Sequence, residues 1–227
     1  MTSFSLSDWT PRNTPARAPV LGDRVRLEPI DPERHASALF AAASSSDDPG
    51  LWDYLPYGPF ASRDEFDAWL LVQAASSDPL HFAIVNEKTG RAVGMCAFMR
   101  MDPANGVIEI GHIWFGPEIQ RTPIATETIF LMQKLALGDL GYRRVEWKCN
   151  NANERSKRAA ERFGFTFEGV FRQHVIVKGK NRDTAWYSLL DREWPENERA
   201  FGKWLSPANF DDTGVQRRSL GECRAIS

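Results

Sequence analysis

Between His81 and Phe115 three strand-length apolar runs follow one another with short polar turns between them, and that succession restricts the chain to folds with a meandering sheet. The runs are His81–Asn86, Ala92–Arg100 and Val107–Phe115, separated by Glu87-Lys88-Thr89-Gly90 and by Asp102 to Gly106. Neither connection is long enough for a helical crossover, so each strand must turn back antiparallel to the one before it.

The remaining elements surround this meander. Val25 and Leu27 alternate with charged residues, which predicts a first strand over Asp23–Glu28. Asp31-Pro32-Glu33 opens a helix to about Ala43, ahead of the Ser44–Pro49 loop, and Ser62 caps a second one carrying Phe66, Trp69 and Leu70 on one face. The apolar spacing predicts a helix over Thr122–Leu137, followed by a short strand at Arg144–Lys148. A helix from Asn153 ends at Phe163-Gly164, and two long strands, Phe165–Val177 and Arg182–Leu190, enclose the turn Lys178–Asn181. The sum is a mixed, mostly antiparallel α/β (α+β) fold of about seven strands and about four helices.

Pro11, Pro15 and Pro19 mark residues 1–20 as a tail or surface strap. One domain is expected over 21–195, with an extension over 196–227. In that extension Phe201, Trp204 and Leu205 form an apolar face that can close against the sheet or against the second subunit of a homodimer.

Charge and cysteine content remove several function classes. With 28 Lys+Arg against 30 Asp+Glu and no basic block, the footprint of a nucleic-acid binder is missing. Cys96, Cys149 and Cys223 lack metal-ligand or CxxC spacing, so no metal site is expected and reduced thiols of a cytoplasmic protein are. No run approaches the roughly 18 apolar residues of a membrane span.

The most informative stretch runs from Glu109 through Phe115 and the Gly116–Arg121 loop into the helix that Thr122 can cap and Pro123 can start. Amides left unpaired in a first helical turn, aligned with the helix dipole, suit a diphosphate. Gln120, Arg121, Thr122, Pro123, Ile124 and Ala125 occupy the pattern Q/R-x-x-G-x-G/A, and in this the chain resembles the GNAT acetyltransferases of RimJ/RimL type. The resemblance continues in Asn153-Glu154-Arg155-Ser156, Arg162-Phe163-Gly164-Phe165, Phe167-Glu168-Gly169 and Trp52–Phe60, so that it covers about Asp23 to Trp194. Pro123 departs from it, because a proline has no N–H to offer a phosphate.

The resemblance implies a GNAT-like acyl-CoA acyltransferase fold with acetyl-coenzyme A as cofactor. It assigns the cofactor to Ile113, Trp114, Phe115, Gln120, Arg121, Thr122, Ile124, Ala125, Thr126, Asn153 and Ser156. It also implies an N-acetyltransferase acting on a primary amine, either of a small molecule or of a peptide N-terminus. A non-catalytic coenzyme A-binding module on the same fold is the alternative.

An amine attacks a thioester only when neutral, and the departing thiolate needs a proton. Glu109 interrupts an apolar strand and is the first candidate base, against a structural pairing with Arg100. His174 on the penultimate strand is the second, and a water chain is the third. Ser156 shares a helix face with Ala159, Ala160 and Phe163, and the resemblance sets it near the sulfur as proton donor. His112 is expected on the opposite face from Glu109, as a packed core residue. Trp52, Tyr54 and Tyr57 are candidate walls of the acceptor pocket or plugs of the core, and Arg172 and His174 are candidate acceptor contacts.

Overall fold

A computed structural model describes residues 6–44 and 50–225. Residues 45–49 of the predicted Ser44–Pro49 loop therefore lie outside the described residues. Eight strands, β1 (Val20–Leu21), β2 (Val25–Pro29), β3 (Leu80–Asn86), β4 (Ala92–Asp102), β5 (Val107–Phe115), β6 (Arg144–Asn150), β7 (Thr166–Val177) and β8 (Lys180–Leu190), form one sheet in the order β1-β2-β3-β4-β5-β6-β8-β7. The predicted antiparallel meander is β3–β4–β5. The eighth strand is β1, a two-residue pairing against β2 at the end of the predicted tail.

The helices are α1 (Pro32–Ser44), α2 (Arg63–Ala75), α3 (Pro123–Gln133), α4 (Glu154–Arg162), α5 (Trp194–Leu205) and α6 (Leu220–Ala225). Ser62 caps α2 as expected, accepting from the Glu65 amide at 3.2 Å. Asn153 caps α4 in the same way, accepting from the Ser156 amide at 3.0 Å. The predicted helix over Thr122–Leu137 holds its α-helical form only to Gln133 and continues as a π-helix over Lys134–Asp139.

Side-chain alternation sorts the sheet into two faces. One face carries Val25, Leu27, Phe82, Phe98, Ile108, Ile110, Val145, Tyr187 and Leu189 into a core shared with α3, α4, α5 and α6. The other carries Ala83, Val85, Met95 and Trp114 into a second cluster with α1, α2 and Trp52. Over β5, β6 and β8 that second face carries Glu109, Glu146, Lys148, Thr184 and Trp186, which makes it the polar floor of a groove.

The C-terminal helices are built into the core. Phe201 is fully buried against Phe130 and Phe163, with ring centroids at 5.3 and 6.3 Å. Asn197 on α5 donates to the Phe163 carbonyl (3.0 Å) and to Gln133 Oε1 (2.9 Å), and Gln133 donates to the same carbonyl (3.1 Å). Arg224 on α6 donates to the Arg162 carbonyl at 3.1 Å. These bonds satisfy the carbonyls at the end of α4 that no helix partner can reach. Gly164 permits the approach: its φ is +93°, and a Cβ there would lie 2.4 Å from Asn197 Oδ1.

At the other end of the chain, Trp9 donates to the Ala104 carbonyl (2.7 Å), Arg12 to Gly141 (2.9 Å) and Arg17 to Ala74 (2.7 Å). Residues 9–17 thus run as a strap from the β4–β5 turn to the end of α2.

Phe201→Ala should lower unfolding free energy by about 3–5 kcal/mol, since it removes a fully buried ring. Ile176→Ala, at a side chain 81% exposed on β7, should stay within about 0.5 kcal/mol. Urea denaturation of the two variants measures both.

Candidate active site

The groove begins where strand pairing ends. β5 and β6 form the parallel pair of the sheet, and they pair only over Val107↔Arg144, Ile108↔Val145 and Glu109↔Glu146. Beyond that point β5 follows β4 to Phe115, while β6 follows β8 to Asn150. The two strands diverge because β5 carries a bulge: Gly111 pairs with Ala97 and Trp114 with Met95, so His112 and Ile113 together oppose Cys96. His112 adopts a left-handed φ of +50° to make this possible. Backbone groups along the diverging edges have no strand across from them, and buried backbone polar groups require partners.

The bulge also corrects the expectation for His112. Simple alternation put it beside Ile110 and Trp114 on the face opposite Glu109. The extra residue instead turns both His112 and Trp114 away from Ile110 to the other face, where His112 stacks on Tyr57 (5.6 Å between centroids, 6° between planes) and meets His81 at 5.0 Å. Its Nδ1 is 3.3 Å from the Tyr57 hydroxyl. Burial draws His112 down to about 4, aided by the charge of Arg100, and His81 down to about 3, aided by His112. Both rings are therefore neutral at pH 7. Burial raises the Tyr57 hydroxyl.

After β5, a 3-10 turn at Pro117–Ile119 leads through Arg121, at φ +61°, into α3. Thr122 stands at the N-cap position without capping. Its hydroxyl donates to the Ile119 carbonyl at 2.7 Å, and its amide bonds the same carbonyl at 3.2 Å. A conventional cap would take one of the first amides of the helix. Here those of Ile124 and Ala125 are left to a ligand, beside a proline that has none. Gln120 folds back to donate to Phe115 O at 3.0 Å, and the Thr126 hydroxyl accepts from Arg162 at 3.1 Å.

On the far wall, Ser156 Oγ accepts from Trp147 Nε1 at 2.9 Å and bonds the Cys149 thiol, which burial raises. Trp147 and Cys149 share one face of β6, so the start of α4 sits over that face.

Glu109 is 3% exposed and does pair with Arg100, at 2.7 Å. A second cation, Lys148, meets the same oxygen at 2.9 Å, bonds Glu146 at 2.6 Å, and lies 3.9 Å above the Trp186 ring. The ladder continues through Arg144 to Glu168, which accepts from Ser188 at 2.7 Å. Sequence reading missed Lys148, although its place two residues beyond Glu146 on a strand beside Glu109 is the signal that finds it.

His174 lies on the same face, with Nδ1 3.1 Å from Thr184 Oγ1 and its ring 5.8 Å from Trp186. Arg172 is exposed at a bulge of β7, where its charge acts on Asp183, so the structure does not bring it to Glu109. Trp52 and Tyr57 are largely core residues, packed with Phe60, Trp69 and Trp114. Tyr54 reaches across to the Ala152 carbonyl at 3.2 Å, and Lys178 donates to the Trp52 carbonyl at 2.8 Å. Their loop thereby roofs one end of the groove.

A sheet of this order, opened between its parallel strands beside a helix start stripped of its cap, defines an acyl-coenzyme A acyltransferase fold. The family model described as Acetyltransferase (GNAT) domain matches residues 24–166, and the chain belongs to that family, with acetyl-coenzyme A as its donor. It is similar to a GCN5-related N-acetyltransferase from Brucella melitensis, at 51% identity over 97% of this chain and 100% of that one, with a TM-score of 0.95. A probable acetyltransferase of the GNAT family from Chromobacterium violaceum ATCC 12472 is 42% identical over 86% of this chain and 97% of its own, with a TM-score of 0.79. YdaF of Bacillus subtilis (strain 168), whose name marks it as a candidate ribosomal N-acetyltransferase, is 29% identical over 74% of this chain and 90% of its own. The RimJ/RimL-type resemblance agrees with that similarity.

Two predictions follow from the geometry. Since both Thr122 donors already serve Ile119, Thr122→Val should change coenzyme A affinity by less than about threefold, as read by titration calorimetry. For the histidines, the unfolded chain, with rings titrating near 6.5, binds more protons than the folded one at lower pH. Stability is thus full above pH 6.5 and declines as pH falls toward 4, approaching about 1.4 kcal/mol per pH unit for each ring. Denaturation between pH 7 and 5 should show this slope in the native chain and lose it in the His81→Gln, His112→Gln double variant.

Proposed function

We propose that this protein transfers the acetyl group of acetyl-coenzyme A directly to a primary amine that enters over the Glu109–Lys148–Trp186 face. The observation that carries the reading is the opening between β5 and β6, which joins the free amides of α3 on one side to a charged floor on the other.

The residues present fit the cofactor. The Ile124 and Ala125 amides and the Arg121 side chain would hold the diphosphate, backbone at Ile113–Phe115 would pair with the pantetheine amides, and Asn153 and Ser156 would flank the sulfur. Acetyl-coenzyme A supplies an activated acyl group with a good leaving thiolate. Trp147 Nε1 occupies a lone pair of Ser156 Oγ, and the O–H, which reaches the Cys149 sulfur, would turn from it to protonate the departing sulfur. Glu109, with both cations on its Oε2, keeps Oε1 to draw in and orient an ammonium group. His174, braced by Thr184 through Nδ1, holds Nε2 as the acceptor of the proton that the amine must lose.

Between a peptide N-terminus and a small amine, the groove favours the small amine. Tyr54 and Lys178 bridge across its end, and that narrows the route for a long chain.

Release of free thiol from acetyl-coenzyme A in the presence of an amine panel tests this function, and no turnover with any amine despite coenzyme A binding would defeat it. Ser156→Ala should lower kcat by about ten- to a hundredfold while leaving the KM for acetyl-coenzyme A within about threefold, because the proton is needed only as the sulfur departs. Steady-state kinetics separate the two parameters.

A further inference from the structure

The floor of the groove contains a cation that the transfer chemistry does not use. Arg182 is on β8, two and four residues before Thr184 and Trp186, so it shares their face. It pairs across to Val175 of β7, toward the turn that carries Lys178. Its Nε is buried and has no hydrogen-bond partner among the described residues, and the Trp186 Nε1 on the same face is in the same state. Carboxylates nearby are committed elsewhere. Glu109 takes Arg100 and Lys148, Glu146 takes Arg144 and Lys148, and Asp183 accepts from the Gln173 amide (2.7 Å) and from Asn181 (2.9 Å) on the other face.

An unpaired guanidinium in a partly desolvated place costs stability, and a native chain keeps one there for a ligand more readily than for packing. Strand register sets Glu109 level with Ser188 of β8, beyond Trp186 as seen from Arg182, so the two stand at opposite ends of the floor, and the charge of Glu109 acts on the guanidinium. That pattern, carboxylate at one pole and guanidinium at the other, complements a molecule with an ammonium and an anionic group.

We propose that Arg182 binds an anionic group, carboxylate or phosphate, of the acceptor, so that the amine acetylated here belongs to a small zwitterion. The inference rests on the acetyl-transfer reading above and names its substrate class. The guanidinium fork would take the anion in a charge-assisted pair while Glu109 orients the ammonium end.

Matched acceptor pairs test it: α-amino acids against their amides, and O-phosphoethanolamine against ethanolamine, each assayed by thiol release with the full chain. The native protein should prefer the anionic member of at least one pair by about ten- to a hundredfold in kcat/KM, and the pair preferred tells carboxylate from phosphate. Arg182→Gln should bring that ratio close to one, and Arg182→Lys should restore part of it. Because Arg182→Gln removes an unpaired, partly desolvated charge, its melting temperature should hold or rise, whereas a structural arginine would lower it. Turnover with no preference for either anionic member, or a ratio that survives Arg182→Gln, overturns the inference while acetyl transfer stands. If no amine is acetylated, acetyl transfer fails by itself, and calorimetry of the same pairs decides on Arg182. Tighter binding of the anionic member that Arg182→Gln abolishes supports the inference, and equal binding of both members overturns it.

Discussion

The parallel pairing of β5 with β6 lasts for three residues and then stops, and most of what is particular to this protein depends on that interruption. Each strand has a stronger commitment elsewhere. β5 keeps its antiparallel register with β4 by absorbing one extra residue at His112–Ile113, and β6 remains paired to β8 along its whole length. Backbone groups on the diverging edges then face an opening, and the physical requirement that they be satisfied makes the opening a place for an amide-bearing ligand. α3 and α4 begin on either side of it, one presenting free amides and the other a serine fixed by Trp147.

The same bulge sets the electrostatics of the polar face of the sheet. It turns His112 toward Tyr57 and His81, where burial keeps both imidazoles uncharged at pH 7. Beside them, β4, β5, β6 and β7 line up alternating charges from Arg100 through Glu109, Lys148, Glu146 and Arg144 to Glu168. A floor of fixed ion pairs resists reorganisation, which is the condition under which a polar site orients a charged group. Lys148 is central to it, since it touches two carboxylates and an indole face at once.

Much of the scaffold was legible along the chain because its signals are local. Apolar alternation with short turns marked β3, β4 and β5, and Ser62 and Asn153 announced α2 and α4 through side chains that reach their own helix amides. Gly164 announced the end of α4. The strand, loop and helix around Gln120–Ala125 pointed to the cofactor side for the same reason. Thr122 was misjudged as a cap because its hydroxyl had two backbone targets within reach, and the 3-10 turn before it placed the Ile119 carbonyl closer. α6 was not visible at all: six residues with Leu220 and Cys223 buried carry too little periodicity to register.

By itself, then, the sequence determined the order of the elements, the mixed sheet, the family resemblance and the strand, loop and helix entry around Gln120–Ala125, since each is written in neighbours along the chain. Only the tertiary structure decided which side chains share the groove. That Glu109 meets two cations depends on β4 and β6, and whether His112 turns to the Ile110 face or to Tyr57 and His81 depends on one inserted residue in a strand register. Whether Arg182 finds a partner depends on where Glu109, Glu146 and Asp183 have already committed theirs. Those outcomes are fixed by contacts between residues far apart in sequence, and strand pairing leaves no local trace of them.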